Sequence, residues 1–208
     1  ETRDYNVKLT VSNNGCSAEN VKTITINPLP NAEFSYPETA CQGEEVTFTA
    51  VTQDAETYTW FIDETQIENN NNSTLNYTFT EARNYEVKLI VSNDGCSDEN
   101  VKNITVNQLP NAGFESPEAA CQGEEVTFTA VSQNAESYTW FIDGTQLSDE
   151  NLPTLSYTFN ETRDYNVKLT VSNNGCSAEN VKTITINPLP NAGFESPEAA
   201  CQGEEVTF

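Results

Sequence analysis

The sequence repeats itself with a period of 80. Residues 1–32 and 161–192 are identical, and so are 113–128 and 193–208. Aligning 1–80 with 81–160 leaves 25 differences. Whatever fold suits one copy must suit the next, so the chain reads as an array of one supersecondary unit. The ends fall inside repeats, which reads as a cut through a longer array. On that reading the residues around Glu1 say nothing about export. Near-identical copies suit a task that scales with length, such as a stalk, a fibre or a multivalent binder. An enzyme needs one good site and gains little from serial duplication.

Within a repeat, apolar and polar residues alternate. Val46, Phe48 and Ala50 alternate with threonines. Tyr58, Trp60 and Ile62 do so with Thr59 and Phe61. The same holds for Leu75, Tyr77 and Phe79, for Tyr85 through Val91, and for Ile104 and Val106. Period two over four to eight residues marks half-buried strands, and no segment carries a sustained helical stripe. Asn14-Gly15, Asp94-Gly95 and Asn174-Gly175 supply tight hairpin turns. About seven short strands per 80 residues predict an all-β chain of tandem two-sheet sandwiches of the immunoglobulin type. Trp60 and Trp140 are expected in the cores, with Tyr85 and Tyr165 as corner tyrosines.

Charge excludes several functions. The chain has 9 Lys+Arg, 32 Asp+Glu and a net charge of -23. That leaves no basic face for nucleic acid, so no nucleic-acid partner is expected. No apolar run approaches the ~20 residues of a helical membrane span. With no His, a Ser-His-Asp triad and a His-ligated zinc are both ruled out. No catalytic residue, cofactor or metal is assigned, and the chain is read as a non-enzyme. Glu44, Glu45, Glu56, Asp63, Glu64, Asp98 and Glu99 fall near loops or strand ends, without the Asp-x-Asp-x-Asp pattern of a calcium loop. They read as a solvated acidic surface. Phe61, Phe141 and Tyr36 are the candidates for an outward aromatic strip.

The motifs resemble the polycystic-kidney-disease (PKD) domain. They are Tyr58-Thr59-Trp60, then Leu75-Asn76-Tyr77-Thr78-Phe79, then Tyr85-Glu86-Val87-Lys88-Leu89-Ile90-Val91-Ser92-Asn93. The resemblance covers the whole 80-residue unit. It departs where the family reads Trp-x-Phe-Gly-Asp-Gly. Here the runs are Trp60-Phe61-Ile62-Asp63-Glu64 and Trp140-Phe141-Ile142-Asp143-Gly144, without the glycine before the Asp. Cys41-Gln42-Gly43 and Gly95-Cys96 are similar to the cysteine-bearing PKD-like repeats of large secreted Bacteroidetes proteins. That resemblance implies an extracellular, cell-surface adhesin, of the kind that includes gliding-motility adhesins. The implied role is a structural stalk. A multivalent carbohydrate- or protein-binding array and accessory domains of a secreted hydrolase are the alternatives. The expected partners are neighbouring repeats of the same chain and other copies in a fibre.

Proline-bearing linkers at Asn27-Pro28-Leu29-Pro30, Asn107-Gln108-Leu109-Pro110 and Asn187-Pro188-Leu189-Pro190 set the boundaries. The domains read as 1–29, the C-terminal part of a repeat; 30–109 and 110–189, complete repeats; and 190–208, the start of the next. Short linkers predict a fairly straight rod.

The six cysteines, 16, 41, 96, 121, 176 and 201, keep a fixed phase of two per repeat. In a secreted array that phase suggests disulfides. On an immunoglobulin frame, with Val46 and Val87 at the bridge positions, Cys41 lies ~16 Å toward the bottom of the sandwich and Cys96 ~30 Å toward the top. A gap of ~45 Å in one domain far exceeds the ~7 Å Cα limit of a disulfide. The bottom of one domain meets the top of the next, which favours an interdomain Cys41–Cys176 bond. By the same rule Cys121 pairs beyond residue 208, Cys16 and Cys96 pair before residue 1, and Cys201 pairs further downstream. Intradomain pairs, Cys41–Cys96 and Cys121–Cys176, remain the alternative should the first strand or the last hairpin fold back.

Overall fold

The computed structural model describes residues 2–53, 55–132, 135–147 and 151–207. Its regular structure among these residues is all strand. The chain divides into two units, Glu1–Leu109 and Pro110–Phe208.

The first unit begins with a hairpin, β1 (Arg3–Asn13) and β2 (Cys16–Ile26). Eight strands follow: β3 (Phe34–Ser35), β4 (Thr39–Cys41), β5 (Glu45–Ala50), β6 (Thr57–Ile62), β7 (Thr65–Ile67), β8 (Thr74–Thr78), β9 (Asn84–Asn93) and β10 (Cys96–Asn107). They form a three-stranded sheet, β3-β5-β8, and a five-stranded sheet, β4-β10-β9-β6-β7. The second unit repeats the plan with β11 (Phe114–Glu115), β12 (Ala119–Cys121), β13 (Glu125–Ala130), β14 (Ser137–Ile142), β15 (Thr145–Gln146), β16 (Thr154–Thr158), β17 (Asp164–Asn173) and β18 (Cys176–Asn187). Its sheets are β11-β13-β16 and β12-β18-β17-β14-β15.

Each repeat thus has eight strands rather than about seven, because the first strand is split. Pro37 and Pro117 have no N–H for a ladder. The chain leaves the small sheet before them and joins the large one after them. There β4 runs parallel to β10, with Thr39 opposite Thr105 and Cys41 opposite Asn107.

Inward residues of the two sheets make one core per repeat. Trp60 and Trp140 are fully buried. Phe34 meets the Trp60 ring edge-on at 5.3 Å, and Phe48 lies 6.2 Å from it. The indole N–H of Trp60 donates to the Asn72 carbonyl at 3.2 Å, and that of Trp140 to Leu152. Tyr85 is buried and donates its hydroxyl to the carbonyl of Glu81, four residues back. Tyr165 does the same to Glu161. The departure from the family pattern is also resolved. Ile62 and Ile142 occupy the place of the lost glycine as buried strand residues. The turn falls after them, at Asp63-Glu64 (φ 46° and 64°) and Asp143-Gly144 (φ 49° and 80°).

Context decides the remaining segments. Residues 193–208 have the sequence of 113–128, yet no strand is present from 193 to 207. Phe194 is 74% exposed where Phe114 is 2% exposed. The strands of 113–128 pair with β16 and β18. The β1–β2 hairpin does form, because its partners are local across Asn14-Gly15. Its Tyr5, Val7, Leu9 and Val11 are exposed, whereas the corresponding Tyr85, Val87, Leu89 and Val91 are buried.

Candidate functional site

The cysteines sit where strands meet linkers. Cys41 ends β4 and opens a rigid turn. Its N–H donates to the Glu44 carboxylate at 2.8 Å, and the Glu44 N–H donates back to its carbonyl at 2.9 Å. The Gln42 N–H donates to Asn107 O at 2.9 Å, and its side-chain amide to Thr80 O at 2.8 Å. Gly43, at φ 83°, donates to Phe79 O. Cys121 repeats the turn with Gln122, Gly123 and Glu124. Cys41 is therefore fixed beside the last residue of β10.

Cys96 is at the other end of that strand. It pairs with Asn93 across the Asp94-Gly95 turn. Eleven residues of β10 separate Cys96 from Asn107, about 36 Å at a strand rise of 3.3 Å. This overturns the intradomain alternative. Neither Cys41–Cys96 nor Cys121–Cys176 can close across the height of a sandwich. The ends are also somewhat nearer than the ~45 Å expected from an immunoglobulin frame, because β4 stops level with the end of β10. Cys41 and Cys176 each take part in a disulfide. Cys16, Cys96, Cys121 and Cys201 carry free thiols.

The linker meets Cys96 within the first unit. The Cys96 Sγ lies 4.0 Å from the carbonyl oxygen of Asn27, the residue before Pro28. The Asn27 side-chain amide donates to Asp94 O at 3.2 Å. Asp98 accepts from the Ala32 N–H at 3.0 Å. The top hairpin of the repeat thus grips both ends of the linker. The cysteine phase was visible in the sequence. The part played by Asn27 was not, because an asparagine before Pro-Leu-Pro reads as an ordinary turn residue.

Several acidic residues, Glu33, Glu44, Asp63 and Asp98 among them, accept from protein donors. Asp63 accepts from the Glu86 N–H at 3.0 Å and pairs with Arg83 at 2.6 Å. That backbone bond and then the guanidinium hold its carboxyl below the usual range. Arg83 also lies 3.6 Å over the Tyr85 ring. Asp143, Asn166, Arg163 and Tyr165 repeat the arrangement. Glu33 pairs with Lys102, whose hydrogen bond lowers the Glu33 pKa. Among the described residues no cluster of three metal-ligating side chains occurs.

The aromatic strip does not assemble. Lys88 covers the Phe61 ring at 4.6 Å, and Lys168 covers Phe141 at 4.5 Å. Tyr36 turns inward, stacked on Phe48 at 5.9 Å, with its hydroxyl on Asn103 O. One open concavity of about 490 Å³ runs along the loop from Ile67 to Asn76. Asn71 in that loop is committed to the fold. It accepts from the Tyr58 N–H and donates to Glu56 O.

Comparison with family models agrees with this architecture. Residues 27–106 and residues 113–186 each match the PKD domain. No curated protein matches the sequence. Similar solved structures include fibronectin(III)-like modules of Clostridium thermocellum CbhA. These are 14% identical, cover 78% of this chain and 100% of that one, and have a TM-score of 0.43. The ICAM-5 D1–D4 ectodomain fragment is also 14% identical, covering 83% of this chain and 52% of that one, with a TM-score of 0.46. Domains 3–5 of Drosophila OTK are 12% identical, covering 82% and 70%, with a TM-score of 0.41.

Proposed function

Because residues 27–106 and 113–186 place this chain in the PKD-domain family, we propose that it is a load-bearing stalk segment of an extracellular, cell-surface adhesin. It projects a distant adhesive region and carries tension to it, as a surface-gliding adhesin requires. It acts without catalysis and without a cofactor. Its partners are its own neighbouring repeats and other copies in a fibre.

One observation carries the reading, the contact between Cys96 and Asn27. One period later, Cys176 stands for Cys96 and Asn107 stands for Asn27. Asn107 is also the strand partner of Cys41. A residue common to both cysteines supports pairing them, and the proposed bond is Cys41–Cys176, from the bottom of one repeat to the top of the next. Each such bond forms as two thiols lose two protons and two electrons to a disulfide-donating oxidant of an oxidising compartment. A covalent strut beside a proline-bearing linker stiffens the joint against bending.

The nine Lys and Arg put every cysteine in its own tryptic peptide. Without reduction, peptide 23–83 is expected to travel joined to peptide 169–182. Electron microscopy of a long array should show straight fibres that become flexible on reduction. Fibres equally stiff before and after reduction would overturn the strut.

A further inference from the structure

We infer that tension along this chain bypasses most of each hydrophobic core, passing only through the first two strands, β3 and β4, of one repeat and the last strand of the next. The inference rests on the Cys41–Cys176 pairing proposed above. Load reaches the first sandwich at its top, where Ala32 is tied to Asp98. It leaves at Cys41, level with Asn107. Nine residues of chain, 32 to 41, therefore span the same height as nine residues of regular strand, 98 to 107. That height is about 30 Å, against a limit of about 32 Å for nine fully extended residues. The segment has almost no slack and acts as a taut tether. Beyond the bond, load enters β18 at Cys176 and runs down this continuous strand to Asn187. A strand pulled from its two ends is already extended, so it shears against nothing.

The 134 residues between Cys41 and Cys176 lie inside the covalent loop. They include Trp60, Trp140 and most of both cores. Without the bond, load would cross from β4 to β10 through only three parallel residue pairs. Shearing those apart opens the sandwich.

Stretching single molecules of the full chain by tags at its two ends tests this. The oxidised chain is expected to stop near 270 Å, the contour of the 74 residues outside the loop at ~3.6 Å each. The reduced chain, and Cys41→Ser, should reach about 750 Å. An oxidised chain whose peptide map contains the Cys41–Cys176 link but which still stretches to the reduced length would overturn the inference. The bond would then be yielding under load, as by exchange with the free thiols. A map without that link would instead remove the pairing itself, whatever the lengths.

Discussion

Glu64 is a residue whose neighbours in sequence and in space want different things. It stands at φ 64° in the hairpin between β6 and β7, where the next repeat has Gly144 at φ 80°. A side chain in the left-handed region costs about 1 kcal/mol or more. Glu64→Gly is therefore expected to raise the stability of the first sandwich by about 1 kcal/mol, read as a higher urea midpoint. Gly144→Glu should lower the second by a similar amount. The adjacent Asp63 and Asp143 give acid sensitivity. Both carboxyls lie below the ordinary 3.8, so the folded state binds their protons less tightly than the unfolded chain does. Their contribution is complete above pH 3.8 and is lost as pH falls through the folded values. In an acid titration followed by tryptophan emission, Asp63→Asn with Asp143→Asn should flatten the loss of stability below about pH 4. An unchanged acid limb would assign that loss to other carboxylates. The buried role of Trp60 was legible in its alternating strand. The role of Asp63 was not, because its partners Arg83 and Glu86 lie twenty and more residues away.

At the scale of elements, legibility followed length. Strands β5, β6, β8, β9 and β10 announce themselves by alternation over several residues. Strands β3, β4 and β7 have two or three residues each, too few to show a period. They exist because a long neighbour offers a free edge. Residues 113–128 are stranded with β16 and β18 beside them. Sheet pairing is non-local, and its closure entropy must be offset by contacts far along the chain. A synthetic peptide of residues 113–128 is accordingly expected to give a disordered circular dichroism spectrum. A β spectrum from the monomeric peptide would mean that the segment carries its own preference and that β16 and β18 merely receive it. The joint was half legible in the same sense. Cysteine phase and proline linkers mark its place in the sequence. The grip of Asp94, Cys96 and Asp98 on 27–32 emerges only once the last hairpin is built.

For the whole molecule, the proposed bond changes what unfolding means. Cross-linking two residues removes conformational freedom from the denatured chain, and the effect grows slowly with loop size. A loop running from Cys41 to Cys176 is worth about 5 kcal/mol on chain-entropy grounds. That contribution does not belong to either core, since each sandwich buries its own tryptophan among its own strands. Reduction should therefore leave both units folded in dilute buffer while lowering the denaturant concentration at which they open. It should also separate them. With the bond intact, opening one unit leaves its chain tethered to the folded other, so most of the restriction is felt when both have opened. Without it, each unit opens on its own terms. Urea titrations of Trp140→Phe and Trp60→Phe variants report the first and second units separately. Oxidised, both tryptophans should report midpoints shifted upward relative to reduced protein, by up to about 5 kcal/mol shared between the two. Reduced, each should reach the midpoint of its own unit. Superimposable oxidised and reduced curves at both tryptophans would mean that the bond restricts nothing in the denatured chain, and a strut without that restriction has no thermodynamic basis.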